Sequence, residues 1–339
     1  MRVFSRCLTG IAACAFLALV ACGQGDTPVS DEKPTSVVEA QEAAARAEAL
    51  EAQKAAYEAA LAEAKASRGS GEPALWTLRD EDTTLYIMGT VHLLRPDLKW
   101  RSDAIDTALE EADTVVFEAD VTSQQAASEM MRFISSKGMF TDGRQLTSLL
   151  SEVEQAELQK ALDHLGLPLG AVQPMKPWWA AVNLSVMQIQ QEGFDPNSGV
   201  EKVIELEAVA DGKSFAYLET IDEQLGRLAG MPEDEQVDFL IGSAESIKEG
   251  ADVLDVLVSE WADGDVHGIG LLMANPGMIG SDEVYDALLK SRNEDWVGKI
   301  EAMLDEPGTR LIAVGAGHLA GEDSVIKLLE QEGYEVSGP

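Results

Sequence analysis

One short pattern occurs twice in this chain, as Leu85-Tyr-Ile-Met-Gly89-Thr-Val-His92-Leu93 and as Leu311-Ile-Ala-Val-Gly315-Ala-Gly-His318-Leu319. In each copy an apolar run long enough for a buried strand stops at a glycine, and an imidazole follows three residues later. Open α/β sheets gather their ligands at the carboxyl ends of strands. The repeat therefore predicts an α/β fold, a mixed central sheet flanked by helices, in which two separate strands each deliver a metal-binding or proton-transferring side chain to one edge.

Not all of the 339 residues belong to that fold. Met1-Arg2-Val-Phe-Ser-Arg6 is a basic head, residues 7–20 are apolar, and Leu19-Val20-Ala21-Cys22 closes the stretch with small residues. That is the layout of a secretory signal over residues 1–21, and its apolar run is too short to span a bilayer. The Leu-Val-Ala-Cys tetrad resembles the lipobox of bacterial lipoproteins. It implies cleavage before Cys22, lipidation of its sulfur, and anchoring on the periplasmic side of a bacterial membrane, the outer membrane first. Cys7, Cys14 and Cys22 are the three cysteines, so the exported domain has no disulfide and no thiol chemistry. Residues 22–36 read as a polar tether and residues 37–73 as an Ala/Glu-rich spacer helix with a linker, lacking a heptad seam. Residues 74–339 are long enough for one sizeable α/β core.

Within that domain, residues 75–79 and 84–88 read as a hairpin around Asp80-Glu81-Asp82. Residues 114–118 and 214–218 read as strands that deliver Glu118 and Glu219, residues 311–314 as the strand before His318, and residues 334–336 as a last strand. Ser102 caps a helix to Glu111, and Ser151-Glu-Val-Glu154 has the spacing of a capping box for a helix ending at His164-Leu165-Gly166. Short strand–helix–strand joins imply a right-handed parallel crossover that sets Glu118 next to His92. Helical stretches at residues 123–137, 178–192, 200–210, 223–228, 232–249, 251–262 and 283–304 predict a large helical insertion into one domain. His267 is expected in a loop and His164 on the surface near a helix end.

The charge is lopsided, 25 Lys and Arg against 60 Asp and Glu, a net of −35. Phosphate backbones are bound by clustered cations, so nucleic acid is not an expected partner. Serine and cysteine hydrolases also fall away, since there is no G-x-S-x-G elbow and no thiol outside the leader.

Two histidines and two glutamates at strand ends make a coherent chemical set. Neutral imidazole and carboxylate oxygen suit zinc, manganese, iron or cobalt, and a catalytic site keeps one position open for a water whose pKa the metal lowers. A carboxylate is then left to act as general base. Glu118 and Glu219 follow apolar strands, where a carboxylate either titrates high or has a cationic or metal partner. Arg292, in a helix beside Asn293, offers a guanidinium that clamps a carboxylate or steadies an oxyanion, with a surface ion pair to Glu294 as its alternative. Trp178, next to Pro177, reads as core packing at a helix start or as a substrate wall.

Further pieces carry a family likeness: Gly89-Thr-Val-His92, Phe117-Glu118, Pro177-Trp178, Leu218-Glu219-Thr220 with Gln224, Trp261 with Gly264-Asp265, and Arg292-Asn293 with Trp296. The most specific is Val314-Gly315-Ala-Gly-His318-Leu-Ala-Gly321, followed through to Gly333-Tyr334. Over residues 74–336 the chain resembles the TraB/GumN family, whose relatives include the metal-dependent Tiki proteases. The resemblance implies a core in which His92, His318 and Glu118 hold a divalent metal (manganese, cobalt or zinc). Glu118, Glu219 and Arg292 are then catalytic, and Trp178, Gln224 and Arg292 face substrate. Gly199-Val200-Glu201 departs from the family's Gly-Ile-Asp, a change expected to touch only a peripheral contact. The function implied is metal-dependent hydrolysis of a peptide or protein by a lipoprotein. Two further readings stand beside it: a lipoprotein that sequesters a peptide or signal without turnover, as the pheromone-shutdown connection of the TraB name implies, and a haem- or iron-binding lipoprotein.

Overall fold

A computed structural model describes residues 71–247, 252–273 and 281–339. The signal segment, the tether with Cys22, and the spacer through residue 70 lie outside the described residues.

Among the described residues six strands form one sheet: β1 (Leu75–Arg79), β2 (Thr83–Thr90), β3 (Thr114–Phe117), β4 (Ser214–Tyr217), β5 (Gly308–Gly315) and β6 (Val336–Ser337). Their spatial order is β4-β3-β5-β2-β1-β6, with the first four parallel to one another, β1 antiparallel to β2, and β6 antiparallel to β1. The β1–β2 hairpin closes on Asp80, whose Oδ1 accepts the N–H groups of Asp82 at 3.1 Å and Thr83 at 2.8 Å, the local bonding that makes Asp a turn residue. Successive residues of the central strands face opposite sides. Tyr86, Met88, Val115, Phe117, Leu311 and Ala313 join the core under the larger helical layer, while Leu85, Ile87, Val116, Ile312 and Val314 join the core on the other side. Burial on both faces explains why these strands read as continuous apolar runs rather than alternating ones.

The helices begin with α1 (Asp103–Glu111), capped by Ser102, and α2 (Gln124–Phe133), which runs into a π-helical turn at Ile134–Gly138. α3 (Glu152–Leu165) opens on the expected Ser151–Glu154 capping box and stops at Gly166, where φ is 70°. α4 (Pro177–Gln191), α5 (Val200–Ala210), α6 (Ile221–Gly230), α7 (Glu233–Ser246) and α8 (Asp252–Asp263) follow. Next come α9 (Val266–Met273), α10 (Asp282–Tyr285), α11 (Ser291–Leu304) and α12 (Val325–Gln331). Within the described residues no helix is long and apolar enough to cross a membrane. His267 is exposed on α9 and not in the expected loop: Asp265 accepts the Gly268 N–H at 2.8 Å and starts a helix through this glycine-rich segment.

The sheet differs from the expected crossover in one respect. β2 and β3 are parallel but not adjacent, because β5 from the far end of the chain lies between them and pairs with both. Gly89 sits opposite Val314 and Thr90 opposite Gly315, so the two glycine–histidine turns leave neighbouring strands one residue out of step.

Candidate functional site

Four neighbouring parallel strands end at one edge, and read across the sheet they deliver Glu219 after β4, Glu118 after β3, His318 after β5 and His92 after β2. Close packing between the two turns is what the first glycine permits. A Cβ on Gly89 would lie 3.0 Å from the Cα of Ala316, and the Gly89 carbonyl accepts the Trp261 indole N–H at 2.9 Å.

Glu118 is 5% exposed and fully engaged. Its Oε1 accepts the Gly315 backbone N–H at 2.8 Å, and its Oε2 accepts from Gln224 Nε2 at 2.9 Å and from Arg292 Nη2 at 2.5 Å. Arg292, 2% exposed, also gives Nε to both oxygens of Glu219 at 3.0 and 3.2 Å, Nη2 to Glu219 Oε1, and Nη1 to the Leu288 carbonyl at 3.0 Å. The π-helical turn Asp286–Lys290 immediately precedes α11 and supplies that carbonyl; such distortions commonly mark functional sites. Burial pushes the Glu118 carboxyl up, but Arg292, the nearby His318 and His92 and the Gly315 N–H outweigh it and hold it down at about 2. Glu219 goes the other way: burial, helped by Glu118, lifts it above its ordinary value against the pull of Arg292. Two carboxylates on one guanidinium thus titrate apart, the pattern that separates acid from base in catalytic pairs.

The two imidazoles are held differently. His318 is completely buried, its ring 4.2 Å from that of Trp296, and its Nδ1 lies 2.5 Å from Asn293 Oδ1. Asn293 Nδ2 donates to the Asp323 carbonyl at 2.7 Å, which fixes the amide so that its oxygen faces the ring. Nδ1 of His318 must therefore carry the proton, and Nε2, 3.7 Å from Glu118 Oε1, carries the lone pair. Burial and then Arg292 drive the His318 pKa well below the imidazole range. His92 is partly exposed, and its Nδ1 bonds Glu201 Oε1 at 2.7 Å. Burial lowers its pKa, but the Glu201 charge and hydrogen bond outweigh that and raise it. The His92 charge adds to the lowering of the His318 pKa.

The structure corrects several expectations. Trp178 is wholly buried at the start of α4, its indole N–H on the Lys137 carbonyl at 3.1 Å and its ring against Trp179 and Phe133, so it is core rather than substrate wall. Arg292 and Gln224 both bond to Glu118 Oε2. Glu201 is no peripheral contact: with Thr90 Oγ1 also donating to its Oε1, it is the direct partner of His92. The expected ligand triplet is not gathered either, since among the described residues no three His, Cys, Asp or Glu side chains are placed to hold an ion.

The donor chemistry nevertheless fits a divalent cation. Both rings have Nδ1 bonded to an oxygen acceptor, the arrangement that leaves Nε2 for a metal, and a Glu118 oxygen lies within 3.7 Å of one Nε2.

A sequence profile of the TraB/PrgY/gumN family matches residues 74–338. The chain belongs to the TraB/PrgY/gumN family. It is 25% identical over 246 residues to YbaP of Escherichia coli strain K12, across 72% of this chain and 87% of that protein. To the metalloprotease TIKI2 of Danio rerio it is 22% identical over 322 residues, across 77% of this chain and 60% of the relative. To metalloprotease TIKI1 of the same organism it is 22% identical over 315 residues, across 77% of this chain and 62% of the relative. The chain thus spans about 60% of the length of these two metalloproteases. No solved structure matches it. Two members of the site would have been missed by a search for ligands alone: Asn293, whose only signal is its place directly after Arg292, and Glu201, whose signal is a carboxylate in the first turn of a helix that starts at Gly199.

Proposed function

We propose that this TraB/PrgY/gumN protein is a metal-dependent hydrolase that cleaves peptide bonds. The observation that carries the reading is the row of Glu219, Glu118, His318 and His92 along one sheet edge, with Nδ1 of both imidazoles bonded to an oxygen acceptor. The metalloprotease names of the two Danio rerio relatives support it. His92, His318 and Glu118 would hold the cation, which when bound polarises a carbonyl and lowers the pKa of a bound water. Glu219, raised from its ordinary value chiefly by burial, is the group suited to accept and return a proton. Arg292 holds the two carboxylates in register, and Gln224 fixes the same Glu118 oxygen that Arg292 binds.

Elemental analysis of the purified protein, followed by a peptide-library screen with manganese, cobalt or zinc, tests the reading. The expected result is one stoichiometric divalent ion and cleavage that depends on it, both lost in His92→Ala and His318→Ala. Metal content unchanged in those variants would defeat the assignment.

A second reading, binding of a peptide without turnover, draws on the ungathered ligand set. It predicts peptide binding with no product under any of the three metals. We also propose that the protein works from a lipid anchor at Cys22 on the periplasmic side of the membrane; incorporation of labelled fatty acid, abolished by Cys22→Ser, is the check.

A further inference from the structure

The two glycine–histidine turns look equivalent in sequence, but each ring is set by a different residue that is not itself a candidate ligand. We infer that Glu201 and Asn293 are the positioning residues of the site, each locking one imidazole with its proton on Nδ1 so that both Nε2 atoms serve the edge where Glu118 and Glu219 stand. The inference rests on the metal reading for its purpose, and on hydrogen bonds alone for its geometry.

For His92 the template is the first turn of α5. Gly199 lies so close beneath the His92 backbone that a Cβ there would stand 2.1 Å from the His92 carbonyl oxygen. The next residue, Val200, donates its N–H to the Val91 carbonyl at 3.0 Å, and the next, Glu201, takes the imidazole Nδ1 at 2.7 Å. Three consecutive residues thus fix the height, the backbone and the ring of one histidine. Thr90, an inner residue of the same glycine–histidine motif, donates to the Glu201 oxygen and holds the carboxylate in place. The motif therefore steadies the group that steadies its own histidine.

For His318 the template is the first turn of α11. Arg292 faces the two carboxylates while its neighbour Asn293 faces the ring, so one turn of helix sets the acidic and the imidazole halves of the site together. The bond from Asn293 Nδ2 to the Asp323 carbonyl prevents the amide from turning over. With the amide oxygen presented to Nδ1, the ring carries its proton on that side. Oxygen partners on the far nitrogen orient a ligating histidine and raise its basicity, and losing them costs roughly 10–100-fold in metal affinity.

The test uses the full-length protein with ¹⁵N-labelled histidine, free of metal, at a pH above the imidazole range, with zinc alone titrated afterwards. In the wild type the ¹⁵N shifts of His92 and His318 should report the proton on Nδ1 in both rings. Glu201→Ala should move only His92 toward the Nε2–H form, and Asn293→Ala only His318, with zinc affinity falling roughly 10–100-fold in each. Glu201→Gln, which keeps an acceptor oxygen, should restore the His92 tautomer and most of the affinity. Should Asn293→Ala fail to fold, Asn293→Asp, which keeps the acceptor, should leave His318 as in the wild type, and the Glu201 pair carries the same comparison independently. Unshifted tautomers in the alanine variants, or wild-type rings already protonated on Nε2, would overturn the inference. A wild type with the expected tautomers but no affinity for zinc, and none for manganese or cobalt when these are titrated in turn, would instead defeat the metal reading and leave the positioning intact.

Discussion

Arg292 Nη2 lies 2.5 Å from Glu118 Oε2 with both side chains buried, joining a strand end to a helix 174 positions away. The same nitrogen reaches Glu219, so one guanidinium neutralises part of two buried carboxylates. Removing it leaves like charges side by side with no cation, whereas removing one carboxylate leaves a pair. Arg292→Met should therefore cost about 3–5 kcal/mol, the usual penalty for stranding a buried charge, and clearly more than Glu219→Gln. Urea unfolding of the three proteins compares them directly, and equal midpoints for Arg292→Met and Glu219→Gln would contradict the clamp.

The pair also predicts a pH dependence. Glu118 is held at about 2 against an ordinary 4.5. Its folded-state pKa lies below the unfolded one, so its contribution is fully present above about 4.5 and is lost as pH falls toward about 2. The size is about 3 kcal/mol. Glu219, raised, acts in the opposite sense: its contribution is present at low pH and is lost as pH rises through its folded value. Stability measured from neutral pH down into acid should fall less steeply for Glu118→Gln than for the wild type, and not less steeply for Glu219→Gln.

Gly199 offers a sharper geometric test. Its φ is −58°, which any residue adopts, so the glycine is there for space and not for backbone freedom. A methyl at 2.1 Å from the His92 carbonyl oxygen forces α5 and the histidine apart. Gly199→Ala should destabilise the protein by about 1–3 kcal/mol and weaken whatever binding His92 supports. Gly226→Ala, where a Cβ would meet nothing within 4 Å, is the matched control in thermal unfolding and should be neutral or slightly stabilising.

Much of this architecture is legible in the sequence. Six strand positions, the Ser102 cap, the Ser151–Glu154 capping box and the Gly166 stop are local signals, written in residues that act within one turn of chain. What was not legible is long-range. Nothing near residues 308–315 says that β5 inserts between β2 and β3, because that choice is made by pairing partners more than a hundred residues away. The site divides along the same line. His92, His318, Glu118 and Glu219 were visible as side chains following apolar strands. Glu201 and Asn293 were not, since a hydrogen bond to a ring nitrogen leaves no periodicity in a sequence. For Trp178 the sequence leaves core packing and substrate contact both open for a related reason: an indole beside a proline has the same composition in a core as in a cleft, and its burial and its bond to the Lys137 carbonyl decide it.

Trp178 accordingly carries a prediction about stability rather than recognition. It is fully buried, its ring tilted against that of Trp179 with centroids 5.4 Å apart, and its N–H is satisfied. Trp178→Ala should cost about 3–5 kcal/mol, from the cavity and the orphaned Lys137 carbonyl. If peptide cleavage is established, the milder Trp178→Phe should leave KM unchanged at temperatures where it stays folded. A selective rise in KM with unaltered unfolding would return Trp178 to the substrate side.

The last prediction separates the two histidines by titration. His318 is held well below the imidazole range, so the folded protein refuses a proton that the unfolded chain accepts below about 6.5. Its contribution to stability is therefore present above that value and is lost as pH falls below it. His92, raised by Glu201, does the reverse: its contribution is present below about 6.5 and is lost as pH rises through its folded value. In the wild type the two partly cancel in this window. Glu201→Gln removes the charge that supports imidazolium at His92 and should leave the His318 effect exposed, as a steeper loss of stability on acidification below about 6.5. Proton NMR of the same variant should show His92 titrating at lower pH than in the wild type while His318 stays silent; a His318 signal that titrates normally would mean its ring is not sealed beneath Trp296 as the structure has it.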